Sequence, residues 1–274
     1  MKRDVAAHIE LSVTETADLI FSVAVASTYE PSAERLALTL DGHPLEVIEF
    51  ADDHGTRLHR VEAPPGILVL DYTATIDGTV SDSAAGEAGP TANVPPAEPV
   101  RYTRPSRYAE SDTLAPTAAA EFHDIPAGPD LLAAVSSWVG TRLAYVSGSS
   151  LPTDGAVRTL LSRQGVCRDF AHLTIALLRA RNVPARLVSV YAPGLSPMDF
   201  HAVAEAWIGG EWRVVDATAL APRDTLVRIA TGRDAADTAF LTVLSGRSTL
   251  QDFTVTATAG TLPKDDVNRL VSIS

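Results

Sequence analysis

Apolar and polar residues alternate in short runs between residues 5 and 76 of this chain. A period of two is typical of β-strands that bury one face. The Asp41-Gly42 pair separates two of the runs and favours a tight hairpin there. The pattern predicts an N-terminal β domain, sandwich-like in architecture, with strands in five segments: 8–14, 18–26, 35–41, 44–50 and 67–75.

Residues 79–100 have no such period, and Ala, Pro, Gly, Ser and Thr dominate them. This composition predicts a mobile loop or linker rather than a packed element. The sequence therefore divides into two predicted domains. The first, residues 1–100, is a β domain that ends in the flexible linker at 79–100, and the second spans residues 101–274.

After residue 100 the period changes to that of helices, in the segments 129–146, 154–163 and 166–182. The third segment is apolar around most of its circumference, which predicts a central, buried helix. Gly165 precedes this helix, and Pro184 prevents its continuation. An α+β fold is predicted, with the central helix packed on an antiparallel sheet built from strand-like runs: 185–191, 201–208, 211–217 and 248–258.

Composition and charge limit the classes of function. The 274 residues are 46% hydrophobic and 20% charged, which is enough apolar material for a full core. The formal net charge of -12 repels phosphate backbones, so we expect no nucleic-acid partner. No export signal is visible, and no apolar run reaches the roughly 18 residues of a membrane span. We therefore expect a soluble, cytoplasmic protein without a membrane partner, and the oligomeric state stays open.

The chain has one cysteine, Cys167, which excludes an internal disulfide. It lies in the predicted first turn of the central helix, where unpaired backbone N–H groups and the helix dipole favour a thiolate. Alone, a cysteine in an apolar helix is more often an inert buried thiol, so a nucleophile needs a base and an orienting group. His172 projects from a different face of that helix and is predicted to be a hydrogen-bonded structural histidine.

His201 and Asp216 lie on two predicted strands that Gly209-Gly210 joins. A two-residue hairpin loop would place Asp216 opposite Val203. Residues two apart on a strand share a face, so Asp216 and His201 become diagonal neighbours, about 7 to 8 Å apart at the backbone. A three-residue loop would turn Asp216 to the other face. The spacing makes His201 the candidate base for Cys167 and Asp216 the candidate orienting group.

Two runs resemble the core of bacterial transglutaminase-like proteins, which share the catalytic logic of papain-type cysteine proteases. They read GVCRDFAHLTIALLRARNVPARLVSVY and DFHAVAEAWIGGEWRVVDAT. Supporting stretches lie at 104–112 and 232–246, and the resemblance covers residues 100–258. The preceding β region is similar to the N-terminal domain that often accompanies this core. The resemblance implies a transglutaminase-like (papain-like) catalytic domain at 101–274.

Matched residue by residue, the catalytic triad of that family falls on Cys167, His201 and Asp216. One departure follows the acid, where Ala217 replaces the proline of many relatives. The resemblance implies attack by the thiolate on an amide or ester carbonyl, with a thioester intermediate and with neither cofactor nor metal. Asp216 would hold the tautomer of the imidazole and stabilise the imidazolium.

Further residues near the triad have more than one interpretation. The backbone N–H of Cys167 is one oxyanion donor, and Trp138 and Gln164 are candidates by type for the second. Arg168 and Asp169 fit a structural pair at the helix start as well as a substrate contact. Glu205 shares the predicted face of the candidate base, and a buried ion pair is a better interpretation of it than catalysis.

Several functions stay open at this level. The preferred one is hydrolysis of an amide or peptide bond, by a protease or amidase, in a peptide or protein substrate or a small amide. The same triad also serves a transglutaminase or peptide-forming acyltransferase with an amine acceptor. A non-catalytic protein-binding module on the same fold has no chemical need for all three side chains. A zinc site built from the triad lacks the short ligand spacings of known zinc motifs.

Overall fold

The structure, a computed structural model, describes residues 1–78 and 97–273. Most of the predicted linker, residues 79–96, lies outside the described residues. Its last four residues form a helical turn, α1 (Ala97–Val100), instead of a loop. Within the described ranges no helix combines the length and the hydrophobicity needed to cross a bilayer.

Strands dominate both ends of the described chain, and the helices lie between them. The strands are β1 (Arg3–Phe21), β2 (Ala33–Leu40), β3 (His43–Pro44), β4 (Ile48–Ala51), β5 (Arg57–Ala63), β6 (Gly66–Ile76), β7 (Ala144–Tyr145), β8 (Gln164–Gly165), β9 (Ala185–Tyr191), β10 (Phe200–Ile208), β11 (Glu211–Val215), β12 (Val227–Gly232) and β13 (Leu241–Ala259). The helices after α1 are α2 (Ala115–Phe122), α3 (Pro129–Arg142), α4 (Ala156–Ser162) and α5 (Cys167–Ala180).

The long strand β1 organises the N-terminal sheet, whose order is β3-β2-β6-β1-β5-β4. Residues 3–13 of β1 pair with β6 and residues 17–21 pair with β5, so these two partners follow each other along one edge of β1. Side chains of β1 alternate between buried and more exposed, as the two-residue period predicts. Asp41 and Gly42, with φ of 48° and 80°, form the expected turn between β2 and β3.

The other edge of β1 pairs with a strand from the far end of the chain. β13 runs antiparallel to β1, from the pair Phe21 and Leu241 to the pair Arg3 and Ala259. The sequence pattern predicted a strand at 248–258 but not its partner. One strand of the first sheet thus comes from the range 101–274, and the division into two domains at residue 100 stays a prediction.

All three predicted helices are shorter than their patterns, the central one by residue 166 at its start and by residues 181 and 182 at its end. The first ends at Arg142 and not at residue 146, because Leu143 adopts extended angles and Ala144 donates its N–H to the carbonyl of Arg163. Ala144 and Tyr145 form β7, which pairs in parallel with β8. The second helix is α4, which is trimmed at both ends relative to 154–163.

The central helix α5 packs on the antiparallel sheet β11-β10-β9-β12. Every residue from Asp169 to Arg179 is buried, as its apolar circumference predicts. Alanines of β9 and β10, such as Ala185 and Ala204, allow the sheet to approach the helix closely. The mixed α and β fold class, with a buried helix on an antiparallel sheet, is confirmed. This packing fixes where the start of α5 lies relative to β10.

A buried ion cluster ties three strands of this sheet together. The carboxylate of Glu205 on β10 accepts hydrogen bonds from Arg186 on β9 (2.8 Å) and Arg228 on β12 (2.6 Å). The side chain of Glu205 is completely shielded from solvent. Burial raises the pKa of this carboxyl, but the charges and hydrogen bonds of Arg228 and Arg186 outweigh burial and hold the pKa below its usual value. The interpretation of Glu205 as a buried ion-pair residue is confirmed.

We expect Glu205→Gln to lower the free energy of unfolding by about 3 kcal/mol or more, because it leaves the buried guanidinium of Arg228 without a counter-charge and Arg186 with only the more exposed Glu98 (3.5 Å). Urea denaturation measures the loss. Glu211→Gln is the matched control: it removes the carboxylate of a half-exposed pair with Arg213 (2.9 Å) and should cost less than about 1 kcal/mol. Equal losses in the two variants would contradict the central place of Glu205.

Candidate active site

Cys167 is the first residue of α5 and is partly exposed. Val166 before it has extended backbone angles, and its N–H donates to Oδ2 of Asp169 (2.9 Å). Oδ1 of the same carboxylate accepts a hydrogen bond from the hydroxyl of Ser150 (3.0 Å). The helix therefore begins at a fixed point, and the thiol lies at its N-terminal end, where backbone N–H groups lack helical partners.

The β10–β11 hairpin has the register that the sequence predicts. Gly209 and Gly210 form the two-residue loop, with φ of 64° and 86°, angles that glycine adopts without strain. Ile208 pairs with Glu211, and the ladder continues to the pair Ala204 and Val215. Because the next position after Val215 is the candidate acid, this register places that acid on the face of β10 that carries His201.

His201 and Asp216 form a buried hydrogen-bonded pair. Nε2 of His201 lies 2.8 Å from Oδ2 of Asp216, and both side chains are almost completely shielded from solvent. The other ring nitrogen, Nδ1, is buried and has no nitrogen or oxygen partner among the described residues. Since Nε2 is bound to the carboxylate, Nδ1 is the nitrogen left for the thiol of Cys167. A neutral imidazole that donates from Nε2 has an unprotonated Nδ1, which is the form a base requires.

The charges of this pair stabilise each other. Burial lowers the pKa of His201, but the charge and hydrogen bond of Asp216, together with contacts from Cys167, outweigh burial and raise the pKa to about 10. Burial raises the pKa of Asp216, and the His201 charge with hydrogen bonds from His201 and Thr218 reverses this and holds it below its usual value. At neutral pH the pair therefore contains an imidazolium and a carboxylate.

The turn after Asp216 keeps the carboxylate in place without a proline. Oδ1 of Asp216 accepts hydrogen bonds from the backbone N–H of Thr218 (2.9 Å) and from its hydroxyl (2.7 Å). One oxygen therefore closes the turn while the other holds the histidine. The turn therefore forms with Ala217 where many relatives have proline, and the carboxylate of Asp216 stays beside His201.

Tyr145 lies beside the thiol and was not among the site residues predicted from the sequence. Burial and the charge of Cys167 raise the pKa of Tyr145 to about 12, and its hydroxyl hydrogen-bonds with both the backbone N–H and the side chain of Cys167. The pairing of Tyr145 with Gly165 and a ring contact with Phe170 (5.9 Å) hold it there. The helical pattern of residues 129–146 includes β7, so no strand was predicted there. The run Leu143-Ala144-Tyr145-Val146 before Ser-Gly-Ser-Ser is nevertheless typical of a short strand followed by a turn.

Other candidates from the sequence have structural partners. The indole N–H of Trp138 donates to Glu121 (2.7 Å) and is not available as an oxyanion donor. Gln164 lies on β8 and is exposed, and its backbone carbonyl accepts a hydrogen bond from the hydroxyl of Ser162 (3.2 Å). Among the described residues, no group of three or more His, Cys, Asp or Glu side chains has the arrangement to hold a metal ion.

The neighbours of Cys167 on α5 stabilise the fold around it. Arg168 donates to the carbonyl oxygens of Leu151 (2.6 Å) and Asp154 (3.1 Å), which ties the preceding loop to the helix start. His172 is buried, and its Nε2 accepts the backbone N–H of Ala235 (3.1 Å). Burial lowers the pKa of His172 to about 3, so it is neutral at pH 7. These contacts support the structural interpretation of both residues.

The fold and the arrangement of these residues define a transglutaminase-like class of protein. The sequence profile of the Transglutaminase-like superfamily matches residues 117–217, a range that contains Cys167, His201 and Asp216. A crystal structure from Cytophaga hutchinsonii named "Putative Cysteine Protease" is 36% identical, superimposes with a TM-score of 0.86, and covers 98% of this chain and 96% of its own.

Two mycobacterial proteins are similar in sequence. "Uncharacterized protein Rv2569c" of Mycobacterium tuberculosis is 30% identical over 233 residues, which are 73% of this chain and 72% of the relative. "Uncharacterized protein ML0607" of Mycobacterium leprae is 32% identical over 127 residues, 42% of this chain, and the chain spans only 44% of that relative. The chain belongs to the transglutaminase-like superfamily.

The electrostatics of the pair predict how the thiol reacts. Because the imidazolium of His201 persists up to about pH 10, its charge supports a thiolate throughout the neutral range. We expect iodoacetamide to modify Cys167 readily below pH 7, and His201→Ala to shift the rise of the rate to above pH 8, as for an ordinary thiol. Peptide mapping with mass spectrometry across a pH series measures the rate, and an identical profile in the variant would remove His201 from the pair.

Proposed function

We propose that this protein is a cysteine-dependent acyl-transfer enzyme that cleaves amide or peptide bonds through Cys167, His201 and Asp216. The observation that carries the proposal is the buried His201–Asp216 pair, which occupies Nε2 and leaves Nδ1 for the thiol. The Nδ1 of the structural residue His172 is also without a partner, but only His201 combines this with a contact to the thiol of Cys167, which contributes to its raised pKa. The similarity to a protein named as a cysteine protease points to the same chemistry.

In the proposed reaction, the thiol proton first resides on Nδ1 of His201. The thiolate of Cys167 attacks the carbonyl carbon, and the carbonyl electrons move to the oxygen to give an oxyanion. When the carbon–nitrogen bond breaks, the imidazolium gives its proton to the leaving amine, and a thioester remains on the cysteine. Asp216 stays ionised throughout and stabilises the imidazolium.

The oxyanion needs hydrogen-bond donors on the side of the thiol. The backbone N–H of Cys167 is one, because it belongs to the first turn of α5. The hydroxyl of Tyr145, which already contacts that N–H, is the second donor in this proposal. With a pKa of about 12, the hydroxyl of Tyr145 stays protonated at neutral pH. It can therefore donate a hydrogen bond to the developing oxyanion.

Water resolves the thioester in a hydrolase, and an amine resolves it in an acyltransferase. We favour hydrolysis, and the masses of the products separate the two outcomes. A reducing compartment such as the cytoplasm would keep the single cysteine available as a thiol. Peptides, proteins and small amides are the substrate classes that this reaction admits.

Replacement of Asp216 by Asn separates an orienting carboxylate from a turn-closing one. The amide can donate to Nε2, which favours the tautomer with a proton on Nδ1 and removes the charge that supports the imidazolium. We expect kcat to fall by orders of magnitude; the serine-protease example loses about 10⁴-fold for the analogous change. The measurement is turnover of the best substrate from a panel of peptides and activated acyl esters, with Tm recorded in parallel.

Asp234→Asn is the matched control for this experiment. Its two carboxylate oxygens accept the backbone N–H groups of Ala236 and Tyr108 (2.9 Å each), so it closes a turn without holding the base. It should cost stability and leave kcat of the folded enzyme intact. A folded Asp216→Asn protein that keeps more than about a third of the original kcat would exclude the orienting role.

Tyr145→Phe tests the second oxyanion donor. We expect kcat to fall about 10²-fold, because one donor to the oxyanion is lost, while alkylation of Cys167 by iodoacetamide changes at most a few-fold, since alkylation forms no oxyanion. Tyr108→Phe, which keeps the ring stacked on His172 (5.2 Å), is the control with unchanged kcat. Parallel losses of turnover and alkylation would indicate that Tyr145 acts on the thiol and not on the oxyanion.

A further inference from the structure

Residues 261–273, the tail that follows β13, cover the edge of the strand that ends at the candidate acid. After β13 the chain returns to β11, which is the edge strand of the sheet β11-β10-β9-β12. The carbonyl of Val271 accepts the N–H of Val214 (2.8 Å), and the hydroxyl of Ser272 donates to the carbonyl of Trp212 (2.8 Å). Val271 is buried, so the tail is packed against the protein as well as hydrogen-bonded to β11.

Arg223 joins this tail to the end of β11. Its guanidinium is buried, and Nε and Nη2 donate to the two carboxylate oxygens of Asp265 (2.9 and 3.0 Å). Nη2 also donates to the carbonyl of Asp266 (2.6 Å), and Nη1 donates to the carbonyl of Val214 (3.2 Å). One planar group therefore holds a carboxylate of the tail, the tail backbone and the strand in a fixed relation to each other.

The backbone of Val214, two residues before Asp216, is held from outside the hairpin. Its N–H is bonded to the tail, and its carbonyl is bonded to Arg223. The ladder between β10 and β11 ends one residue later, at Val215. The hydrogen bonds from Thr218 to Asp216 close a local turn, which moves together with the acid. Val214 is therefore a point at which contacts from elsewhere in the chain fix the direction in which β11 leaves the hairpin.

We propose that Arg223 and the tail position the acid of the triad, because they hold the end of β11 where Oδ2 of Asp216 reaches Nε2 of His201. Asp216 and Arg223 line one small pocket together with Leu270 of the tail, so a shift of the tail reaches the acid directly. The inference rests on the proposed function, in which the buried pair supports the thiolate of Cys167. Arg223 acts through Asp216 and is therefore a positioning residue.

Loss of these contacts should weaken the support that Asp216 gives to the imidazolium. Burial lowers the pKa of His201, and the charge and hydrogen bond of Asp216 outweigh burial and raise the pKa to about 10. If the carboxylate is displaced from Nε2, burial has the larger effect, so the pKa of His201 falls and less thiolate is present at low pH. A loss of global stability alone does not change this pH dependence while the protein is folded.

Arg223→Gln tests the proposal through the rate at which iodoacetamide alkylates Cys167. We expect the ratio of the rate at about pH 6 to the rate at about pH 9 to fall about tenfold, because the imidazolium that supports the thiolate is less stable. The rates are measured by peptide mapping at a temperature well below the Tm of each variant. A folded Arg223→Gln protein with a lower Tm and an unchanged ratio would overturn the proposal, since Arg223 would then stabilise the fold alone.

Asp265→Asn and Asp237→Asn are a milder, matched pair of variants that decides the question if Arg223→Gln does not fold. Each aspartate binds one arginine through both of its oxygens, Asp265 with Arg223 and Asp237 with Arg233. Asp237 and Arg233 both lie in the loop between β12 and β13. Asp265→Asn should lower the ratio of rates a few-fold, and Asp237→Asn should leave it unchanged. Equal ratios in the two variants would overturn the role of the tail.

Titration of His201 separates a failure of this inference from a failure of the proposed function. NMR of ring-labelled histidine in Cys167→Ser proteins measures the pKa and needs neither a reactive thiol nor a substrate. We expect Arg223→Gln to lower the pKa of His201 by about one unit or more, and Asp265→Asn to lower it by less. The same pKa in these variants and in the protein with Arg223 would overturn the positioning role. A protein that forms no thioester contradicts the proposed function, whereas the titration still decides whether Arg223 and the tail position Asp216.

Discussion

The register of one hairpin determines whether this chain has a candidate site at all. Two glycines with positive φ close β10 on β11, and their number fixes which residues face each other. Because side chains alternate along a strand, one residue more in the loop would turn Asp216 away from His201. The aromatic pair Trp207 and Trp212, with ring centroids 5.4 Å apart, lies next to the loop and stabilises the same register.

The ion cluster around Glu205 holds β10 in its place within the sheet. Glu205 lies on the face of β10 that carries His201, and its arginines come from the two strands that continue the sheet. Arg186 also lies 3.9 Å over the ring of Trp212, so the cluster reaches β11 and the hairpin. A buried charge without its partners is costly, so a slip of any of these strands is strongly disfavoured. The position of the histidine thus depends on charges that take no part in the proposed chemistry.

The local parts of the site could be predicted because they follow short-range rules. Gly165 and Pro184, which bound the central helix, predicted that Cys167 lies in its first turn. The two-residue period of strands predicted that His201 and Asp216 share one face. The partner of β13 could not be predicted, since a strand pattern does not say which distant strand completes the sheet. Tyr145 was not predicted for a related reason. It lies on β7, a strand of two residues at the end of a segment with a helical pattern, and β7 pairs with β8, which is twenty positions further along the chain.

Burial of Asp216 allows one carboxylate to hold both the base and the turn that follows it. Asp216 is shielded, so its charge acts at short range with little screening and fixes where the proton resides on the imidazole. Its second oxygen accepts hydrogen bonds from the N–H and the hydroxyl of Thr218, so both oxygens of the buried group are satisfied. An exposed orienting carboxylate would be screened by water and salt, and a buried carboxylate without partners would be neutralised. The proposed catalysis therefore requires this acid to be both buried and paired within the protein.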